Sequence, residues 1–322
     1  MSTLREAWTR RLYSTLIPAV PVPFKADGSI DWPSQERYVE HMKAQAVEGV
    51  AVWAHTGRGL YLGREEREDV LVSWREGMGP DVLTVVGVGA RVQSTSDRDF
   101  LNSAVDMARD AVEGGADLLM PYAPIRFRNH YEHEKKIEEY YREIADIGHP
   151  MILFYLYEQA GGITYPMSFL SRLLELESIV GIKVATLDSV VTFQDIAALL
   201  RESCPDVTLV TGEDRFFPYS FAAGAKAALV GLAAACTTLH LEMTGAWFSE
   251  QYGQFHQQAL RVDEFARAVF TEPMEGYIRR MLHILAAQEI LHPDGCHDPF
   301  GPPLDDEDLG RVDSMLKNLG LV

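Results

Sequence analysis

Lys183 closes the apolar run Ile179-Val180-Gly181-Ile182 and is followed by Val184-Ala185-Thr186. A lysine at the C-terminal end of a buried strand is poorly solvated, which disfavours its charged form and leaves a neutral amine near pH 7. Such an amine attacks carbonyl compounds to form a Schiff base. The alternative for a strand-end lysine is to snorkel into solvent, so the assignment depends on what else the chain brings to it. Two other stretches have fitting chemistry. His55-Thr56-Gly57-Arg58 is a small polar loop, able to offer main-chain N–H groups and a hydroxyl to a carboxylate. Tyr155 carries a phenol that both donates and accepts a proton. A nucleophilic lysine, a carboxylate cradle and a proton shuttle are what Schiff-base chemistry on a 2-keto acid requires.

The elements that must position these groups follow a regular alternation. Leu16–Phe24 reads as a proline-interrupted entry strand, with Pro18, Pro21 and Pro23 placed where no ladder bond is needed. Residues 50–53, 82–88, 117–120, 151–156, 179–186, 207–211 and 227–230 read as further short buried strands. Helical spacing fills the intervals 34–48, 64–76, 96–114, 133–147, 166–176, 193–201 and 216–222. Eight strand–helix units with short loops predict a TIM (β/α)8 barrel over residues 1–235. From Leu239 onward the pattern is only helical, which makes 236–322 a C-terminal helical region. In such a barrel the catalytic groups gather at the C-terminal strand ends. Those ends carry His55, Thr56 and Gly57 (second strand), Tyr122 (fourth), Tyr155 (fifth), Lys183 (sixth) and Gly212-Glu213-Asp214 (seventh).

Composition narrows the partners. The chain has 322 residues, 47% of them hydrophobic, and a formal net charge of −18, which repels nucleic acid and anionic membranes. No apolar run reaches membrane-spanning length, and the polar N-terminus lacks a signal-peptide core. The widely spaced Cys204, Cys236 and Cys296 fit reduced thiols, so a cytoplasmic protein is expected. No metal is expected: His130 and His133 lack a third ligand and read as surface, and no His/Glu cluster sits at the strand ends. Gly87-Val88-Gly89 is a lone Gly-x-Gly without a dinucleotide fingerprint around it.

From about residue 15 to its end the chain resembles the dihydrodipicolinate synthase / N-acetylneuraminate lyase family of class I aldolases. The marks are Pro21-Val22-Pro23-Phe24 with Asp27-Gly28 and Asp31, then His55-Thr56-Gly57, Tyr155 with Gly162, and Gly181-Ile182-Lys183. Tyr155 precedes Lys183 by 28 residues, similar to the family's spacing. Thr211-Gly212-Glu213-Asp214 and Gly301-Pro302-Pro303-Leu304 also have counterparts. The resemblance implies that Lys183 forms the imine with no other cofactor and that Tyr155 shuttles protons. It implies that Thr56 and Gly57 hold the keto-acid carboxylate, and that Glu213 or Asp214 faces the longer part of the substrate. Leu229 on the eighth strand completes the expected substrate wall. It also implies a homo-oligomer, a dimer or a tetramer of two dimers.

The departures are as informative. His55 replaces a small hydroxyl residue, Arg58 a glutamate, Ala160 the arginine that grips the synthase's second substrate, and Ala123 the tyrosine lent by a neighbouring subunit. His55 is therefore expected to replace a two-residue proton relay, or else to hydrogen-bond the substrate or fill space. Arg58 is expected either to clamp an anion or to pair with Glu65. The functional expectation is a lyase acting through a Schiff base on pyruvate or a related 2-keto acid, in aldol cleavage or condensation or in dehydration of a 2-keto-3-deoxy sugar acid. Alternatives are a dihydrodipicolinate synthase-type condensation, which Ala160 disfavours, and a barrel that binds a keto acid without turnover.

Overall fold

The computed structural model describes residues 3–187 and 189–322. Eight parallel strands, β1 (Leu16–Pro18), β2 (Gly49–Val52), β3 (Leu83–Val88), β4 (Leu118–Pro121), β5 (Met151–Leu156), β6 (Ile179–Ala185), β7 (Thr208–Thr211) and β8 (Ala227–Val230), lie in the order β1-β8-β7-β6-β5-β4-β3-β2. A parallel bridge from Ala19, just past β1, to Ala51 of β2 joins the two ends, giving a TIM barrel. Twelve α-helices occur among the described residues: α1 (Leu4–Leu12), α2 (Trp32–Lys43), α3 (Arg64–Met78), α4 (Asp97–Glu113), α5 (His133–Ala145), α6 (Met167–Leu173), α7 (Val190–Ser203), α8 (Phe217–Ala222), α9 (Thr237–Phe248), α10 (Tyr252–Val269), α11 (Tyr277–Ala287) and α12 (Asp306–Leu319).

Local sequence explains the ring helices. In α4, the Ser96 side chain caps the Asp99 N–H, Phe100, Leu101, Ala104, Val105, Ala108 and Ala111 repeat at helical spacing on the buried face, and Gly114 follows the last turn. The strands are buried on both faces, as parallel strands covered by helices must be. One face, with Ala51, Val85, Met120, Phe154, Val210 and Leu229, fills the barrel interior. The other, with Val52, Val86, Leu119, Tyr155, Val184 and Val230, packs under the helices.

The structure departs from the sequence reading before β2: the entry strand expected over Leu16–Phe24 is a strand only over Leu16–Pro18. Residues 4–12, read only as a polar N-terminus, form α1, whose Thr3 and Glu6 make a reciprocal capping box. Its Trp8 and Leu12 join the interior cluster, so this short amphipathic helix stoppers the barrel alongside β6 and β7. The segment after residue 236 is helical, as its pattern predicts. A 3-10 turn, Leu232–Ala234, leads from β8 into α9, which packs on β1, while Val262, Phe265, Ile278, Met281 and Leu316 of α10, α11 and α12 share one hydrophobic cluster with the barrel's outer layer. These helices bring side chains back to the mouth of the barrel.

Candidate active site

Lys183 projects inward from β6 and is only 7% exposed. Its register partner on β5 is Phe154, and Nζ lies 4.2 Å from the centre of that ring. Desolvation lowers the ammonium pKa to about 8, opposed by the charges of Asp214 and then Glu213. Gly212 makes room for the side chain, since a Cβ there would stand 2.5 Å from Lys183 Cε. Asp214 shares the space. Burial raises its carboxyl to about 7, although Oδ1 accepts the Leu232 N–H at 2.8 Å. Amine and carboxyl are both pushed toward neutrality by the same dry surroundings.

Next to Lys183 runs a continuous polar chain. The Tyr277 hydroxyl, from the first turn of α11, lies 3.0 Å from Thr56 Oγ1 and 3.2 Å from His55 Nδ1. On its far side His55 Nε2 is 3.4 Å from Glu275 Oε2, which also accepts from Arg58 Nη1 at 3.2 Å. Burial holds the Tyr277 phenol well above its ordinary range, so it is a neutral O–H donor. Burial also lowers the His55 imidazole, with Glu275 pulling the other way, which leaves a neutral ring at pH 7. Phe270 stacks on Tyr277 with centroids 4.5 Å apart, and a Cβ on Gly231 would sit 3.2 Å from both Thr56 Oγ1 and the Tyr277 ring. The hydroxyl is thereby fixed at the meeting point of β2, β8 and the C-terminal helices.

These groups line a small chamber of about 40 Å³ that holds Lys183, Thr56, His55, Asp214 and Tyr277, with Tyr157 on its wall. Beyond it opens a vestibule of about 370 Å³, which shares His55, Leu156 and Ala160 with the chamber. Among the described residues no group of three or more His, Cys, Asp or Glu is placed to hold a metal.

The structure thus brings Lys183, His55, Thr56 and Asp214 together in the chamber, keeps Gly57 and Arg58 beside it in the loop after β2, and places Tyr155, Glu213 and Leu229 outside its wall. Tyr155 pairs in register with Val184, not Lys183, and so lies on the outer face of the sheet. Its ring packs edge-on against Tyr165 at 5.8 Å, and its hydroxyl meets the Thr164 side chain and the Tyr165 main chain. Glu213, fully buried, takes no part in the chamber wall. It accepts from Thr186 Oγ1 and the Leu187 N–H, both at 2.8 Å, and so ties down the loop that follows β6. Leu229 is buried in the barrel interior, below the chamber. Gly57 packs closely on the Val20 carbonyl, and no main-chain acceptor for the Thr56 or Gly57 N–H occurs among the described residues.

Arg58 corrects the expectation of a pair with Glu65. Its Nε and Nη2 donate to Asp298 at 3.2 and 2.7 Å, its Nη1 to Glu275, and the guanidinium is buried. Both acids lie more than two hundred residues along the chain, where local patterning carries no signal for them. Tyr277 and Glu275 carry equally little signal in the sequence. The local trace is the segment Pro273-Met274-Glu275-Gly276-Tyr277, which puts polar groups at the start of the amphipathic α11.

A family model described as the dihydrodipicolinate synthetase family matches residues 12–319. The chain belongs to that family. Its members are class I aldolase-type lyases and synthases that work through a lysine Schiff base. Among curated relatives, a 4-hydroxy-tetrahydrodipicolinate synthase of Methanothrix thermoacetophila is 26% identical over 81% of this chain and 83% of its own. An N-acetylneuraminate lyase of Citrobacter koseri is 24% identical over 94% of this chain and 96% of its own. Among solved structures, a prophage protein of the dihydrodipicolinic acid synthase family from E. coli K12, in complex with pyruvate, superposes with a TM-score of 0.83. That likeness covers 97% of this chain and 100% of the other at 19% identity, and it supports the fold. Phe154 stands beside Lys183 in the chamber, and the phenol that lines the chamber with them is that of Tyr277.

Proposed function

We propose that this protein is a Schiff-base-forming lyase acting on pyruvate or a related 2-keto acid through Lys183. The observation that carries the reading is a buried lysine with a pKa of about 8, facing a chamber whose other polar walls are Thr56, His55, Tyr277 and Asp214. The neutral amine adds to the keto carbon and water leaves, giving the imine. Thr56 Oγ1 and the uncommitted N–H groups of Thr56 and Gly57 receive the carboxylate. Tyr277 passes protons to and from the reacting oxygen and carbon, exchanging them with His55, whose other nitrogen faces Glu275. This reading moves the shuttle from Tyr155 to Tyr277 and makes His55 the next link. No cofactor beyond the lysine imine is called for.

Imine formation acidifies the methyl group next to the imine carbon, and its deprotonation gives an enamine that adds to an aldehyde or is formed by aldol cleavage. Dehydration of a 2-keto-3-deoxy sugar acid runs through the corresponding enamine of the sugar acid: the C2 imine loses a C3 proton, and the C4 hydroxyl then leaves as water. A synthase-type condensation is disfavoured by Ala160, which offers no cation to a second substrate. We place the enzyme in the cytoplasm as a dimer or tetramer, in keeping with family habit. The test is proton exchange. Incubated with pyruvate in D2O, the enzyme exchanges the methyl protons for deuterium, read by NMR, and Lys183→Ala abolishes the exchange. Equal exchange in that variant contradicts the assignment.

A further inference from the structure

We infer that the second substrate is an aldehyde with an apolar, hydroxyl-free body, of which an aryl aldehyde is the simplest case, and not a polyhydroxylated sugar chain. The inference rests on the Schiff-base reading and concerns the vestibule through which that partner must reach Lys183.

The throat between chamber and vestibule is formed by Leu156, the last residue of β5, and Ala160, together with the ring of His55. Farther out the wall continues through Ala123, Ile125, Leu60 and Val92. A polyol needs donors and acceptors at each hydroxyl, because burying a hydroxyl without a partner is unfavourable. Among the described residues, the polar side chains lying deep in this vestibule are already engaged. Arg58 spends Nε, Nη1 and Nη2 on Asp298 and Glu275, and Tyr122 donates its hydroxyl to the Trp53 carbonyl at 2.6 Å. His55 has Tyr277 on one nitrogen and Glu275 on the other. The half-exposed Tyr61 and the exposed Arg91 and Gln93 stand at the outer rim, beyond reach of hydroxyls close to the bond being made. At about 370 Å³ the vestibule has room for an aromatic ring, whose burial on this lining is favourable without any matched hydrogen bond.

The reaction balances with the groups in place. The enamine carbon of Lys183-bound pyruvate bonds to the aldehyde carbon, and the aldehyde oxygen takes the proton that Tyr277 carries. Water then adds to the resulting imine and releases Lys183 and a 4-hydroxy-2-keto acid. Cleavage is the same sequence in reverse, with no oxidant or reductant.

The experiment compares benzaldehyde with glyceraldehyde as partners for pyruvate, using the wild-type chain and following the 4-hydroxy-2-keto acid by chromatography. Pyruvate-dependent borohydride labelling of Lys183 is run in parallel. The expected result is a kcat/KM for benzaldehyde at least ten-fold above that for glyceraldehyde. In Ala123→Asp, which sets a carboxylate in the outer wall, that ratio falls by about ten-fold or more. Labelling with glyceraldehyde equal or preferred overturns this inference while leaving the Schiff-base reading intact. Absence of labelling overturns the Schiff-base reading itself and this inference with it. An unchanged ratio in Ala123→Asp that still labels overturns the role given to the vestibule.

Discussion

At the scale of single residues, the site turns on which tyrosine can reach the imine. Tyr277 Oη lies between Thr56 and His55, whereas the Tyr155 hydroxyl is engaged behind the sheet with Thr164 and Tyr165. Tyr277→Phe keeps the ring on Phe270 and removes only the proton carrier, so kcat is expected to fall roughly 10²–10⁴-fold. Tyr155→Phe is expected to leave kcat near wild type and to lower stability by about 1 kcal/mol, the worth of one hydrogen bond. Steady-state kinetics and urea unfolding of both variants check this, and the opposite ranking returns the shuttle to Tyr155. The lysine sets the pH dependence. Its pKa is depressed to about 8, so the reactive neutral amine grows as pH rises, and the rate of imine formation climbs and levels off above about pH 8. Asp214 holds that value up, so Asp214→Asn moves the rising limb to lower pH. A limb that stays put, or moves upward, contradicts the coupling.

At the scale of elements, β6 and β7 present the lysine together. The place of Gly212 just after β7 shows how. Gly212→Ala would put a methyl 2.5 Å from Lys183 Cε, and the atom that gives way is the flexible reacting side chain, not the backbone. The variant is therefore expected to fold with an unchanged Tm and to lose most of its pyruvate-dependent deuterium exchange. A large fall in Tm with exchange intact would show that Gly212 serves the backbone instead. Much of this level is legible in the sequence, because each strand is a short apolar run between turn signals and each ring helix has its own periodic face. What the sequence leaves open is facing. The spacing between Tyr155 and Lys183 does not say whether residue 154 or 155 shares the lysine's side, and a one-residue step reverses the face of a strand residue. Here Phe154 is the register partner of Lys183. The N-terminal helix α1 was hidden by its composition, with Trp8 and Leu12 its buried pair among arginines and polar residues.

At the scale of the whole molecule, the mouth of the barrel is finished by the end of the chain. Glu275, Tyr277 and Asp298 come from the C-terminal region and meet His55, Thr56 and Arg58 from the loop after β2. Family membership was readable in short motifs, since the residues that carry it stand at fixed strand ends. The polar chain through Tyr277 was not, because it forms only when α11 folds back over the barrel. The vestibule, built from loops after several strands, was likewise beyond local pattern. All of these features converge on one claim, that Lys183 carries the substrate covalently. The most direct measurement is reduction with borohydride in the presence of pyruvate, followed by peptide mapping by mass spectrometry. The account predicts one reduced pyruvate adduct per chain, on the peptide containing Lys183 and missing from Lys183→Arg, where the guanidinium cannot lose its proton to attack. An intact chain with no adduct, or an adduct on another lysine, would contradict it.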